Sequence, residues 1–255
     1  METDEWVTGN VEMRLGGVPL KMEMTVPAAP VKPHRMLPIF QQMTEQFVGI
    51  SVEAVESSGK KVSCAAGCGA CCRQPVPISK IEAYRLAELV DDMPEPQQET
   101  VRKRFADAVR HFEQIGWFDR VDQLAVPPAD EPVEVTQQRV NDAVLDYFRE
   151  GVPCPFLENE SCSIHESRPI ACREFLVTSP PEYCSEPVGK PIEPVPLLLK
   201  LSDNVKRVGR EELTHTPGLI TLITALRTAE APDGFAEKTG EQWLADFFRY
   251  LTGAP

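Results

Sequence analysis

Between residues 11 and 26 the chain reads VEMRLGGVPLKMEMTV, and apolar side chains fall on alternate positions: Val11, Met13 and Leu15, then Val18, Leu20, Met22, Met24 and Val26. A period of two on either side of Gly16-Gly17 predicts a β-hairpin with one buried face. Prolines at 27, 30, 33 and 38 follow, and their fixed φ and missing N–H make this stretch an extended arm. From about Pro38 to Glu56 the spacing changes, with Ile39, Phe40, Met43, Phe47, Ile50 and Ala54 at helical intervals. Ser79 and Glu82 then form a capping-box pattern ahead of Ile81, Leu86, Leu89, Val90 and Met93, so a helix is expected to start there and stop at Pro94.

Two more amphipathic patterns follow, one on Val101, Phe105, Ala108, Val109, Phe112 and Ile115, the other on Val140, Val144, Tyr147 and Phe148. Prolines cluster in PPADEP (127–132) and across 180–196, which predicts loops. Leu219–Ala229 is helical in pattern, and Trp243, Leu244, Phe247, Phe248 and Leu251 form an aromatic stripe opened by Thr239 and Gln242. Such a stripe belongs in a core. The expected fold class is mainly α with a small N-terminal β-hairpin and irregular cysteine-rich, metal-binding segments between helices. Residues 1–35 are expected to form the hairpin and proline-rich arm, 36–200 a cysteine-cluster metal-binding domain, and 201–255 a helical segment packed on it.

Composition narrows the possible roles. With 255 residues and 42% hydrophobic content, the chain can build a core without covalent staples. A formal net charge of −13 argues against a nucleic-acid or anionic membrane partner, because both demand a basic face. The start METDEWVTGN carries acids where a secretory signal carries bases and an apolar run. No window approaches the roughly 20 apolar residues of a spanning helix. A cytoplasmic protein is expected. There thiols stay reduced, so eight cysteines point to metal ligands or reactive groups before disulfides.

The cysteines form two sets, Cys64, Cys68, Cys71 and Cys72 in CAAGCGACC, and Cys154, Cys162, Cys172 and Cys184 more than eighty residues later. All eight are candidate metal ligands, since soft thiolates select zinc or iron–sulfur over magnesium or calcium. Two sets of four suit tetrahedral thiolate chemistry. Gly67 and Gly69 flank Cys68 and let the backbone fold tightly. Side chains of the adjacent pair Cys71 and Cys72 point apart, so the two are expected to differ in role. Four thiolates around one zinc carry a net charge of about −2, which calls for nearby cations, and Arg73, Arg168 and Arg173 each stand close to a cysteine in sequence. His165, three residues after Cys162, could be a ligand, a hydrogen-bonding neighbour of one, or a turn residue. His34, His111 and His215 have no such neighbours.

C-x3-C-x2-C alone resembles the cluster motif of radical S-adenosylmethionine enzymes, but Ala70 stands where they carry an aromatic residue, and no alternating β/α pattern accompanies it. A fuller resemblance rests on VSCAAGCGACCRQPVPIS, CPFL, CSIHESRPIACREF and Cys184. Together these look like the zinc- or iron-chelating cysteine-cluster family of YkgJ type, with the first step one residue longer than its CxxCxxCC signature. The resemblance implies an eight-cysteine metal-binding domain. A similar cysteine block occurs in flagellin lysine methylases, where an iron–sulfur centre is implicated.

Three roles follow. The first is a metal-binding protein holding an iron–sulfur cluster or Zn2+, with iron–sulfur favoured because a tight run with an adjacent pair is unlike the paired spacing of a zinc ribbon. The second is a metal-dependent enzyme, redox or protein lysine methyltransferase-like, although the chain contains no HExxH, P-loop or GxSxG. The third is an interaction module shaped by zinc, with proline-rich loops for a protein partner.

Overall fold

The computed structural model describes residues 5–15, 18–125, 128, 130–209 and 220–252. The Gly16-Gly17 turn, the side chains of Met13, Leu15, Val18 and Leu20, His215, Leu219 and part of the PPADEP loop lie outside what is described. Strand β1 (Trp6–Leu15) pairs antiparallel with β2 (Val18–Pro27), Val7 opposite Val26 and Val11 opposite Met22. Helices α1 (Leu37–Ser57), α2 (Lys80–Asp91), α3 (Gln97–Gln114), α4 (Trp117–Ala125) and α5 (Val133–Arg149) follow. A two-residue-stranded hairpin, β3 (Leu157–Glu158) with β4 (Ser161–Cys162), precedes α6 (Ile170–Glu174), α7 (Glu182–Ser185), α8 (Ser202–Val205), α9 (Ala225–Ala229) and α10 (Gly240–Thr252). The fold class is the one the sequence predicts.

The alternation is realised on β2, where Met22, Met24 and Val26 are buried and Lys21, Glu23 and Thr25 between them face water. These residues meet Phe40, Met43 and Phe47 of α1 and Trp243, Leu244 and Phe247 of α10 in the largest core, which also takes in Ile81, Ile170 and Leu201. Residues from all three stretches of the chain thus share one core. The approach of α10 to β2 is close enough that a Cβ on Gly240 would fall 2.5 Å from Val26 Cβ. As expected, α10 opens on a reciprocal cap: Thr239 N donates to Gln242 Oε1 at 3.0 Å and Gln242 N to Thr239 Oγ1 at 3.3 Å.

On α1 the buried row differs from the expected one. Ser51 and Val55 occupy it, while Ala54 is exposed. The helix itself satisfies the buried hydroxyls, Thr44 Oγ1 donating to the Phe40 carbonyl at 2.7 Å and Ser51 Oγ to that of Phe47 at 3.1 Å. A second difference is α5, whose buried residues are Ala143 and Tyr147, leaving Val140 and Val144 each 37% exposed. The small Ala143 lets Trp117 of α4 lie against that helix and donate Nε1 to the Ala143 carbonyl at 2.9 Å. Tyr147 stacks on Phe112 of α3 with ring centroids 4.0 Å apart.

The chain leaving the first cysteine block is clamped by the C-terminal stretch. Ile78 N donates to the Ile220 carbonyl and Leu222 N to that of Val76, both at 2.9 Å. Among the described residues no helix is long and apolar enough to cross a membrane.

Candidate metal centre

The first block is shaped by two tight turns. Cys68 N donates to the Ala65 carbonyl at 3.2 Å, closing a turn whose third residue, Gly67, has φ +85°. That conformation favours glycine. Ala70–Arg73 forms one turn of 3-10 helix, in which successive side chains diverge by about 120°. Cys71 and Cys72 therefore leave the backbone in different directions. The start of the block is tied to residues 177–179: Ser63 N donates to the Val177 carbonyl at 3.0 Å, Ser63 Oγ to that of Ser179 at 2.5 Å, and Val177 N to Cys64 Sγ at 3.4 Å.

One backbone hydrogen bond joins the two cysteine blocks, from Cys154 N to the Cys72 carbonyl at 2.7 Å. Leu157 N then donates to the Cys154 carbonyl at 2.9 Å, and β3–β4 reverses the chain so that Cys162 lies opposite Leu157. The reversal uses Asn159 (φ 50°) and Glu160 (φ 58°), the left-handed pair of a two-residue hairpin turn. Cys172 rides on α6, whose first amide, Ile170 N, donates to Glu82 Oε1 at 2.8 Å. Glu82 also receives Ser79 N on Oε2 at 2.7 Å as the cap of α2. One buried carboxylate thus fixes α6 against the helix that follows the first block. The 180–196 stretch, expected to be loop, contains α7, and α7 carries Cys184.

The eight cysteines are free thiols gathered into two neighbourhoods. Cys68 and Cys184 pack with Ala70, Phe175 and Val177. Cys64 joins them through its bond to Val177. Cys154 and Cys162 pack with Ile78, Phe156 and Ile164. Burial pushes the Cys184 thiol up, and its thiol neighbours are Cys64, Cys68 and Cys71. Burial pushes Cys172 well above the ordinary range, with Cys154, Cys71 and Cys162 around it. Cys154 is pushed up to about 12 by burial, next to Cys162 and Cys71. Cys72 is raised by its hydrogen bond to Cys71 and by burial, and has Cys154 and Cys172 beside it. Cys71 stands between the groups and is held down to about 7, chiefly by the hydrogen bond from Cys72, with Arg168 assisting. Among the described residues no group of three or more His, Cys, Asp or Glu side chains stands in metal-coordinating positions. The sulfurs are collected without being drawn to ligand distance. As a donor set, thiols collected from two segments fit zinc or iron–sulfur.

Residues 63–188 match the family described as "CxxCxxCC: Putative zinc- or iron-chelating domain". Through this span the chain belongs to the CxxCxxCC family. No curated protein and no solved structure matches the chain. The matched span of this CxxCxxCC domain takes in all eight cysteines and excludes the N-terminal hairpin and α10.

The three arginines divide their tasks. Arg168 is the cation that bears on Cys64, Cys71 and Cys162 together, and its buried Nε has no hydrogen-bond partner among the described residues. Arg173 is 3% exposed and bonded elsewhere, Nε to the Arg168 carbonyl at 3.0 Å and the guanidinium to Glu45 and to the Glu166 carbonyl. It shapes the loop between Cys162 and Cys172. Arg73 grips Glu160 with both terminal nitrogens, at 2.9 and 2.7 Å, and the Gly69 carbonyl at 2.9 Å. His165 is exposed, and its Nε2 lies 2.5 Å from Arg168 NH1. A guanidinium only donates, so that nitrogen is the acceptor. Nothing in the sequence marks Glu45, which comes from α1, or Glu160 as the counterpart of Arg73. An open cavity of about 590 Å3 lies against Cys68, between Arg73, Glu160, Phe148 and Glu182.

Gly69 serves this clip more than the thiols. A Cβ there would fall 2.3 Å from Glu160 Oε2 and 3.0 Å from Leu157 Cδ1. Gly69→Ala therefore displaces the carboxylate that Arg73 holds, and the expected result is a lower melting temperature. Most of that loss should vanish in a Glu160→Ala background, a coupling that a double-mutant cycle of melting curves measures. An equal penalty in both backgrounds would show that Glu160 is not what the glycine accommodates.

Proposed function

We propose that the CxxCxxCC domain holds thiolate-ligated metal in a reducing, cytoplasmic setting, with Cys64, Cys68, Cys71, Cys72, Cys154, Cys162, Cys172 and Cys184 as donors and iron–sulfur as the preferred form. The observation that carries this reading is the Cys154–Cys72 backbone hydrogen bond, because it brings the second set of thiols onto the first. Zinc and iron–sulfur both require the deprotonated thiolate, so loading displaces the protons that burial favours on Cys64, Cys154, Cys162, Cys172 and Cys184. Arg168 offsets the negative charge that remains. The loops tied by Ser63, Glu82 and Arg173 hold the donors and limit water around them. The bound group would supply either fixed tetrahedral crosslinking, as zinc, or one-electron exchange, as iron–sulfur.

The test is anaerobic purification followed by absorbance and metal analysis. Broad absorption near ~400 nm with iron and acid-labile sulfide is expected. A colourless protein with zinc replaces iron–sulfur by zinc within the same reading. A chain with neither metal, its cysteines oxidised in pairs, overturns it.

A second reading, a metal-dependent enzyme, is favoured by the cavity of about 590 Å3 beside Cys68, which could admit a substrate to a centre ligated there. Saturable binding of S-adenosylmethionine, measured by calorimetry on metal-loaded protein and lost in Arg73→Ala, would support the methyltransferase-like form of that reading.

A further inference from the structure

The geometry points to two separate four-thiolate centres, Cys64, Cys68, Cys71 and Cys184 forming one and Cys72, Cys154, Cys162 and Cys172 the other, with adjacent residues of the first block serving different centres. This assignment rests on the metal-binding reading above and cuts across the order of the chain. Simple spacing would give each block its own centre. The structure instead exchanges one cysteine between them.

Three independent features carry the exchange. The first is packing. Cys184 comes from the far end of the matched span, yet it lies with Cys68, Ala70 and Val177, and Val177 holds Cys64 through the 3.4 Å contact of its amide with Sγ. Cys154 and Cys162 lie instead in the apolar cluster of Ile78, Phe105 and Phe156. The second is the backbone. The 2.7 Å bond from Cys154 N ends on the carbonyl of Cys72 itself, so Cys72 is the member of the first block stitched to the second. The third is the 3-10 turn over Ala70–Arg73, from whose axis the Cys71 and Cys72 side chains start about 120° apart, although their thiols remain within hydrogen-bond reach of each other. Chemistry closes the count. A tetrahedral thiolate site takes four donors, and with Cys71 assigned to the group of Cys184, each of the eight sulfurs is used once. Arg168, which bears on Cys64, Cys71 and Cys162, is placed to neutralise both centres at once.

The experiment is a metal count per chain by mass spectrometry on anaerobically purified wild type and on single and double Cys→Ser variants, with far-ultraviolet circular dichroism as the fold control. Cys64 is exposed and Cys71, Cys72 and Cys162 are half-buried, so these four are substituted in preference to Cys172 and Cys184. Each single variant is expected to retain about half of the wild-type metal, one of two tetrahedral sites being lost. C64S/C71S and C72S/C162S are expected to match their single variants, whereas C64S/C72S and C71S/C162S should retain none. Complete loss in every single variant would mean one shared centre and overturns the assignment. Equal behaviour of C64S/C71S and C64S/C72S would overturn the division of the adjacent pair. Wild-type protein without metal overturns the metal-binding reading itself, an outcome distinct from either.

Discussion

Glu82→Ala lowers the stability of the fold by about 3 kcal/mol, the sum expected when hydrogen bonds to a buried charged acceptor are removed and their donors stay buried. The carboxylate is 3% exposed and accepts from Ser79 N and Ser79 Oγ, both at 2.7 Å, and from Ile170 N at 2.8 Å. Ser79→Ala removes only the cap on α2 and should cost about 1 kcal/mol. The difference between the two variants reports the two bonds that Ser79→Ala leaves in place, from Ser79 N and, across to α6, from Ile170 N. Glu82→Gln fills the same volume but presents an amide NH2 to one of the two groups of donors, so it should fall between them. Urea unfolding monitored by circular dichroism measures all three. A Glu82→Ala penalty no larger than that of Ser79→Ala would show that the bond to Ile170 contributes nothing. Because Cys172 follows Ile170 by two residues, Glu82→Ala is also expected to weaken metal retention, where Ser79→Ala is not.

How far such features can be read from sequence depends on how local they are. The capping boxes at Ser79–Glu82 and Thr239–Gln242 each close within four residues, and both are found as expected. The hairpin's alternation is equally local, and β2 buries the side it should. The C-terminal end of the α1 row departs from the expected spacing because Ser51 counts as polar until its hydroxyl is seen bonded to the Phe47 carbonyl. The buried face of α5 differs from the expected one because valines at helical spacing outweigh one alanine, although it is Ala143 that lets Trp117 approach. Helix α4 shows no readable pattern because Gly116 interrupts the run and, among its described side chains, only Trp117 and Val121 are buried. At the site, the cysteines name themselves, but their grouping depends on backbone contacts such as Cys154–Cys72 that carry no side-chain signature. The arginines show the same limit. Arg173 stands next to Cys172 in sequence, but Glu45 and two carbonyls occupy its guanidinium group.

Stripping the bound metal is expected to open the cysteine segments while leaving the main core closed. That core, from Met22 and Val26 through Phe40 and Phe47 to Trp243 and Phe247, contains no cysteine among its buried residues. The segments that carry the donors have little regular structure of their own. Helices α6 and α7 are five and four residues long, far below the length at which a helix persists alone. Residues 154–169 contain only the two-residue strands β3 and β4 and one short turn. Fixing each such residue costs about 1–2 kcal/mol of backbone entropy, and a structural thiolate metal supplies roughly 10–16 kcal/mol of apparent binding free energy against it. Hydrogen–deuterium exchange with and without a high-affinity chelator resolves the two regions. Amides of residues 64–73 and 154–185 should exchange orders of magnitude faster after stripping, whereas those of α1, β2 and α10 keep their protection. Unchanged exchange at 64–73 would mean that hydrogen bonds such as Ser63–Val177 and Cys154–Cys72 hold the site without metal. Simultaneous loss at α1 and α10 would mean that the cysteine segments and the main core unfold as one unit, despite the absence of cysteine from the packing that joins them.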